Sequence, residues 1–182
     1  MAKAAERRFD ELYQRYFREV AAFCVRRESV ADGYDAANEV FATAWRRIDD
    51  VPKGDAARPW LFVVAKRVLY RRRRSANRFR RLMSKVGSMP AEYVPQPETI
   101  VVQRAEYEAV LAAASELSRR DREVLSLAAW EGLPHSEIAE VLGCSIDAVD
   151  QRLHRAKKRL AEQYQVMQRQ RTRPYEVGGE GS

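Results

Sequence analysis

Residues 133–160 run LPHSEIAEVLGCSIDAVDQRLHRAKKRL, and their spacing specifies two helices joined by a sharp turn. Ile138, Ala139 and Leu142 fall on one helical face, the grouping of a buried stripe. Gly143 can take a positive φ and end that helix abruptly. Ser145 is placed to cap a second helix, whose Ile146, Val149, Leu153, Ala156 and Leu160 alternate spacings of three and four and face inward. That leaves Asp147, Asp150, Gln151, His154, Arg155, Lys157 and Lys158 facing out. This is a helix-turn-helix. In DNA-binding versions the second helix enters the major groove and its exposed side chains meet bases and phosphates. His135, followed by Ser136 and Glu137, reads only as a polar helix start.

Working outward, Ser118 and Asp121 have the spacing of a capping box before a helix holding Val124, Leu125 and Leu127. Ahead of it, Ile100, Val101, Ala105, Val110 and Leu111 lead to Leu117 in another helical stripe. Residues 83–99 contain Gly87, Pro90, Pro95 and Pro97, the composition of a flexible linker. In the N-terminal half, Phe9, Leu12, Tyr13, Tyr16, Val20 and Phe23 keep helical spacing over residues 6–27. Ala37, Val40, Phe41, Ala44 and Trp45 do so over 34–48. Pro52 and Gly54 mark residues 49–58 as a loop. Pro59 suits the first turn of a helix carrying Trp60, Leu61, Val64, Val68 and Leu69 towards Asn77. No alternating strand pattern occurs. The expectation is an all-α chain of two small helical domains joined by a flexible linker, with a polar, glycine-rich, disordered tail after Tyr164.

Among 182 residues, 46% are hydrophobic and 32% charged, enough apolar content for compact cores. No apolar run approaches the ~20 residues a spanning helix needs, and MAKAAERRFDELY lacks the apolar centre of a secretory signal. A cytoplasmic protein without a membrane partner is expected. Cys24 and Cys144 sit on apolar faces, and with the isolated His135 and His154 they do not make a metal site at usual spacings. No phosphate-binding glycine motif, paired nucleophile and base, or cofactor loop is present, so neither an enzyme nor a cofactor is expected. The net charge of +7 favours a polyanionic partner. Its distribution is more telling. Residues 56–91 hold no acidic side chain but include Arg58, Lys66, Arg67, Arg71 to Arg74, Arg78, Arg80, Arg81 and Lys85. Residues 32–55 carry Asp32, Asp35, Glu39, Asp49, Asp50 and Asp55. One surface suits phosphates, its neighbour a basic partner.

Four stretches in this order, FDELYQRYFREVAAF, YDAANEVFATAWRRI, ARPWLFVVAKRVLYRRRR and LSRRDREVLSLAAWEGLPHSEIAEVLGCSIDAVDQRLHRAKKRL, resemble the extracytoplasmic-function group of bacterial sigma factors. The resemblance covers nearly everything from Phe9 to Leu160. It implies a promoter-specificity subunit of RNA polymerase. Residues 1–80 would be sigma domain two, which grips the clamp helices of the largest polymerase subunit and opens the minus-ten element. Residues 81–103 would be the linker. Residues 104–164 would be sigma domain four, which contacts the polymerase flap and reads the minus-thirty-five element, and 165–182 the tail. Family members are commonly held inactive by an anti-sigma factor, so such a partner is a candidate here too.

Carried over residue by residue, the resemblance places Asp35, Asn38, Glu39, Phe41 and Trp45 on the polymerase-binding helix, an acidic rim around aromatic anchors. Residues 49–58 match the base-capturing loop. The helix after it supplies Arg58, Trp60, Lys66, Arg67, Tyr70, Arg71 and Arg74 to the melted minus-ten DNA, where cations and aromatic stacking are the physical tools. Upstream, Asp150, Gln151, His154 and Arg155 would face bases, with Ser145 and Asp147 at the head of the helix and Arg152, Lys157 and Lys158 on phosphates. Two positions depart from the family. Asp150 stands where lysine or arginine is usual, and Asn38 where glutamine is usual. An aspartate facing DNA repels phosphate unless it accepts from a cytosine amino group or pairs with a neighbouring arginine. The competing reading is a helix-turn-helix transcriptional regulator with a LuxR-type DNA-binding unit, which leaves the basic helix and its acidic neighbour unexplained.

Overall fold

The computed structural model describes residues 2–84 and 104–172. Among these the chain forms α1 (Ala2–Val25), α2 (Val30–Arg46), a 3-10 turn (Gly54–Ala56), α3 (Ala57–Ser84), α4 (Arg104–Ser115), α5 (Arg119–Ala129), α6 (His135–Leu142) and α7 (Ile146–Thr172). The all-α expectation holds. By proximity the helices fall into two compact units: α1, α2 and α3 with residues 136–144, and α4, α5 and α7.

In the first unit α2 packs on both α1 and α3. Leu12, Tyr16, Val20, Phe23 and Cys24 are buried from α1, Ala36, Ala37, Val40, Phe41 and Ala44 from α2, and Leu61, Phe62, Ala65, Val68 and Leu69 from α3. Alanine recurs on α2 because it lies between two helices and must let both approach. Phe23 meets Phe62 edge-on with ring centroids 5.0 Å apart, a geometry that stabilises by about 0.5–1.5 kcal/mol beyond area burial. Ser29 caps α2, its hydroxyl oxygen accepting from the Asp32 amide at 3.2 Å. Four residues into that cap, Gly33 is buried against the end of α1.

Among the described residues one buried polar atom in this core lacks a partner. The Tyr16 hydroxyl is shielded and makes no hydrogen bond, and burial, opposed by nearby Arg15, pushes its pKa upward. An unmade buried hydrogen bond costs about 1–3 kcal/mol. Tyr16→Phe is therefore expected to leave stability unchanged or raise it by about 1 kcal/mol, measured by urea denaturation. A loss above that amount would mean the hydroxyl is satisfied in solution.

In the second unit α7 packs on α4 and α5. Ala109, Ala113, Val124, Leu127, Val149, Leu153 and Ala156 are buried in it. Ser118 caps α5 as its spacing predicts, accepting from the Asp121 amide at 3.2 Å. The Asp121 carboxylate is turned inward instead and accepts from Arg159 of α7 at 2.7 Å. A carboxylate left so little exposed requires a partner of this kind.

Several local expectations change. Helix α3 begins at Ala57, two residues before the buried Pro59, and continues past Asn77 to Ser84. Proline in the first turn forfeits no intrahelical bond, and arginine is a good helix former. Helix α2 begins at Val30 and not at Tyr34, because its cap is Ser29. Helix α7 runs eight residues beyond Tyr164 to Thr172. Ile146, read as inward-facing, is about half exposed. The rest of the linker and tail expectations, with Ile100 and Val101, lies outside the described residues.

Candidate polymerase and nucleic-acid interfaces

The turn between α6 and α7 forms as the sequence demands. Gly143 sits at φ +65°, the Cys144 amide donates to the Ala139 carbonyl at 3.0 Å, and Ser145 Oγ accepts from the Ala148 amide at 3.2 Å. A β-carbon at this φ would be strained, so glycine is required for the turn itself. Along α7, Asp147, Asp150, Gln151, His154, Arg155, Lys157 and Lys158 are exposed, as is Ser145, while Arg152 is half-buried. Arg155 Nε donates to the Gln151 carbonyl of its own helix at 3.2 Å. Among the described residues Asp150 does not pair with an arginine. Its Oδ1 accepts from His135 Nδ1, across the turn.

On α2, Asp35 and Asn38 are exposed and Glu39 is half-buried. Trp45 is 44% exposed and rests edge-on against Phe9 at 5.1 Å. It forms one wall of an open groove of about 530 Å³ with Glu6, Phe9, Asp10 and Ala42. Phe41 requires correction. It is 2% exposed and packed among Tyr13, Phe17 and Phe9 at centroid distances of 5.0, 5.6 and 6.4 Å. It supports the surface from beneath and does not present one.

The loop after α2 is tied down from α1. Arg8 donates to the Ile48 carbonyl at 2.7 Å and also to the Val51 carbonyl. Arg15 pairs with Asp55 at 2.6 Å, and Arg58 Nε donates to Glu19 at 2.8 Å. Arg8 was not singled out by sequence reasoning, and only an arginine on the half-buried flank of α1 hinted at it. Trp60 and Lys66 on α3 are half-buried, whereas Arg67, Tyr70, Arg71 and Arg74 are exposed.

The acidic and basic surfaces, expected as separate neighbours, interlock. Arg71 pairs with Glu39. Arg72 reaches Asp32 at 3.2 Å and Glu39 at 4.0 Å, and Arg73 reaches Glu28 at 3.1 Å and the Arg27 carbonyl at 2.6 Å. Arg67 and Arg74 carry no ion pair among the described residues. These two, with Tyr70, make the cationic and aromatic face of α3.

Known proteins are similar to this chain. The family model described as Sigma-70 region 2 matches residues 12–79, and that described as Sigma-70, region 4 matches residues 107–160. The RNA polymerase sigma factor NccH of Alcaligenes xylosoxydans xylosoxydans is 32% identical over 169 residues, 88% of each chain. The ECF RNA polymerase sigma factor SigL of Mycobacterium tuberculosis is 33% identical over 135 residues, 71% of this chain and 73% of its own.

The chain belongs to the extracytoplasmic-function group of RNA polymerase sigma factors.

A solved structure of the sigma factor CnrH in complex with the cytosolic domain of CnrY matches 91% of this sigma factor and 94% of its own chain, at 28% identity and a TM-score of 0.58. This sigma factor directs transcription initiation, with RNA polymerase and promoter DNA as its partners. Sigma factors are initiation factors and not catalysts of the polymerisation they direct. No described helix is long and apolar enough to cross a membrane.

Proposed function

We propose that this sigma factor grips core polymerase through the exposed face of α2, opens the minus-ten element with α3, and reads the minus-thirty-five element with α7. Asp35, Asn38 and Glu39 with the half-exposed Trp45 are the polymerase-binding set, an acidic steering rim beside one aromatic anchor. Arg67, Tyr70 and Arg74, aided by Lys66 and Arg58, hold the melted strand. Ser145, Asp147, Asp150, Gln151, Arg152, His154, Arg155, Lys157 and Lys158 meet the upstream duplex. In domain terms, residues 1–80 and 104–164 carry these two tasks, with 81–103 linking them and 165–182 as the tail. The protein acts in the cytoplasm without enzymatic activity of its own, and an inhibitory protein partner is part of the reading.

The observation that carries this proposal is the clustering of Arg67, Tyr70 and Arg74 on one exposed face of α3, the helix that follows a loop pinned by Arg8. A LuxR-type regulator has no use for that face, and the region 2 match over residues 12–79 weighs against it. The test is transcription by bacterial core polymerase plus the purified chain on a pooled promoter library. Tight association and initiation at a discrete promoter set are expected. Base stacking contributes about 1–3 kcal/mol per base, so Tyr70→Ala should lower open-complex formation roughly 5- to 100-fold while core association is retained. Duplex DNA binding with no affinity for core would sink the proposal.

A further inference from the structure

Asp150 is a residue that phosphate contacts do not accommodate. It lies on the exposed face of α7 with Asp147 three residues before it and His154 four after, so an unheld carboxylate there would meet phosphate charge with like charge. The structure does not leave it unheld. His135, the first residue of α6, donates Nδ1–H to Oδ1, since an ionised carboxylate can only accept. Among the described residues His135 is the only partner of this carboxylate. Both side chains remain about half exposed. The pair therefore fixes the direction of Asp150 without withdrawing it from the DNA-facing surface, and leaves Oδ2 able to accept.

We propose that His135 is a positioning residue for upstream-element recognition, orienting Asp150 so that its second oxygen accepts from the N4 amino group of a cytosine in the major groove. Cytosine is the base that fits. Adenine also offers an amino group there, but its adjacent N7 is an acceptor and repels a carboxylate, whereas guanine and thymine present acceptors at that edge. The arrangement gives this sigma factor a C·G requirement where a cationic residue would have read guanine or bound phosphate. This inference rests on α7 being the reader of the upstream element.

The test uses holoenzyme assembled from the full chain and bacterial core, transcribing promoters with one fixed downstream region and a randomised upstream hexamer, read by sequencing the transcripts. Wild type should require cytosine at one position. Asp150→Asn and His135→Ala should each reduce discrimination there roughly 5- to 100-fold, the double variant should do no worse than either, and His135→Asn, whose amide can donate from nearly the same place, should restore it. Melting temperatures should stay near wild type, since the pair is solvent-exposed. An unchanged preference in His135→Ala, or in Asp150→Asn, overturns the inference. If wild-type holoenzyme shows no upstream preference at any position, it is the assignment of α7 as the reader that fails.

Discussion

Phe41→Ala is expected to destabilise the first unit by about 3–5 kcal/mol, the cost of emptying a phenylalanine-sized site in a packed core. Phe41 is buried at the point where Phe9, Tyr13 and Phe17 converge, so no single neighbour can collapse into the gap without leaving its own contacts. The neighbouring Trp45→Ala should behave oppositely. Its ring is 44% exposed and, among the described residues, packs on Phe9 as its one aromatic partner, so stability should fall by about 1 kcal/mol, while affinity for core polymerase should fall by about 2 kcal/mol or more if it is an interface anchor. Urea denaturation with a core-binding assay separates the two. Equal losses of stability in both variants would place Trp45 in the core as well. Undiminished core binding by a folded Trp45→Ala protein would remove it from the polymerase-binding set.

Gly33→Ala is the second large effect, expected to cost about 3 kcal/mol although it adds a single methyl group to a helix, where alanine is intrinsically preferred by about 1 kcal/mol. A β-carbon at Gly33 would lie 2.6 Å from Val25 Cα and 2.7 Å from Val25 N. Those atoms belong to the backbone of α1 and cannot rotate away. The first turn of α2, capped by Ser29, would have to lift from the end of α1. Because α2 carries the proposed polymerase-binding residues and pairs with the arginines of α3, the same substitution should weaken both core association and initiation. A melt indistinguishable from wild type would mean the two helix ends are farther apart in solution. Gly54 offers a contrast. A β-carbon there meets nothing within 4 Å, so its substitution costs only the strain of a positive φ.

The helix-turn-helix was legible because everything that shapes it is local. Gly143, Ser145 and the stripe of Val149, Leu153 and Ala156 act on their own turns, within four residues of backbone hydrogen bonding. The same holds for Ser118 at the head of α5. Expectations failed where a local signal had no partner to meet or none to stop it. Ile146 keeps the helical spacing of its stripe but stands in the first turn of α7 and stays half exposed. Residues 165–172 lack a strong apolar stripe, yet they contain no glycine or proline, and the helix runs on to Thr172.

The site divides along the same line. The segment bearing each candidate, the sign of its charge and the outward face of α7 were set by sequence, since a 3.6-residue period fixes which side chains share a face. Only the tertiary structure decided that Phe41 is core while Trp45 is surface, four residues apart on one helix. It alone matched Arg71, Arg72 and Arg73 to Glu39, Asp32 and Glu28, separated by 32 to 45 residues in the chain. It also brought Arg8 to the loop and His135 to Asp150. The reason is physical: periodicity and capping report energies paid within one helix, whereas ion pairing, aromatic burial and the close approach at Gly33 depend on where two helices cross, a distance that no single helix encodes.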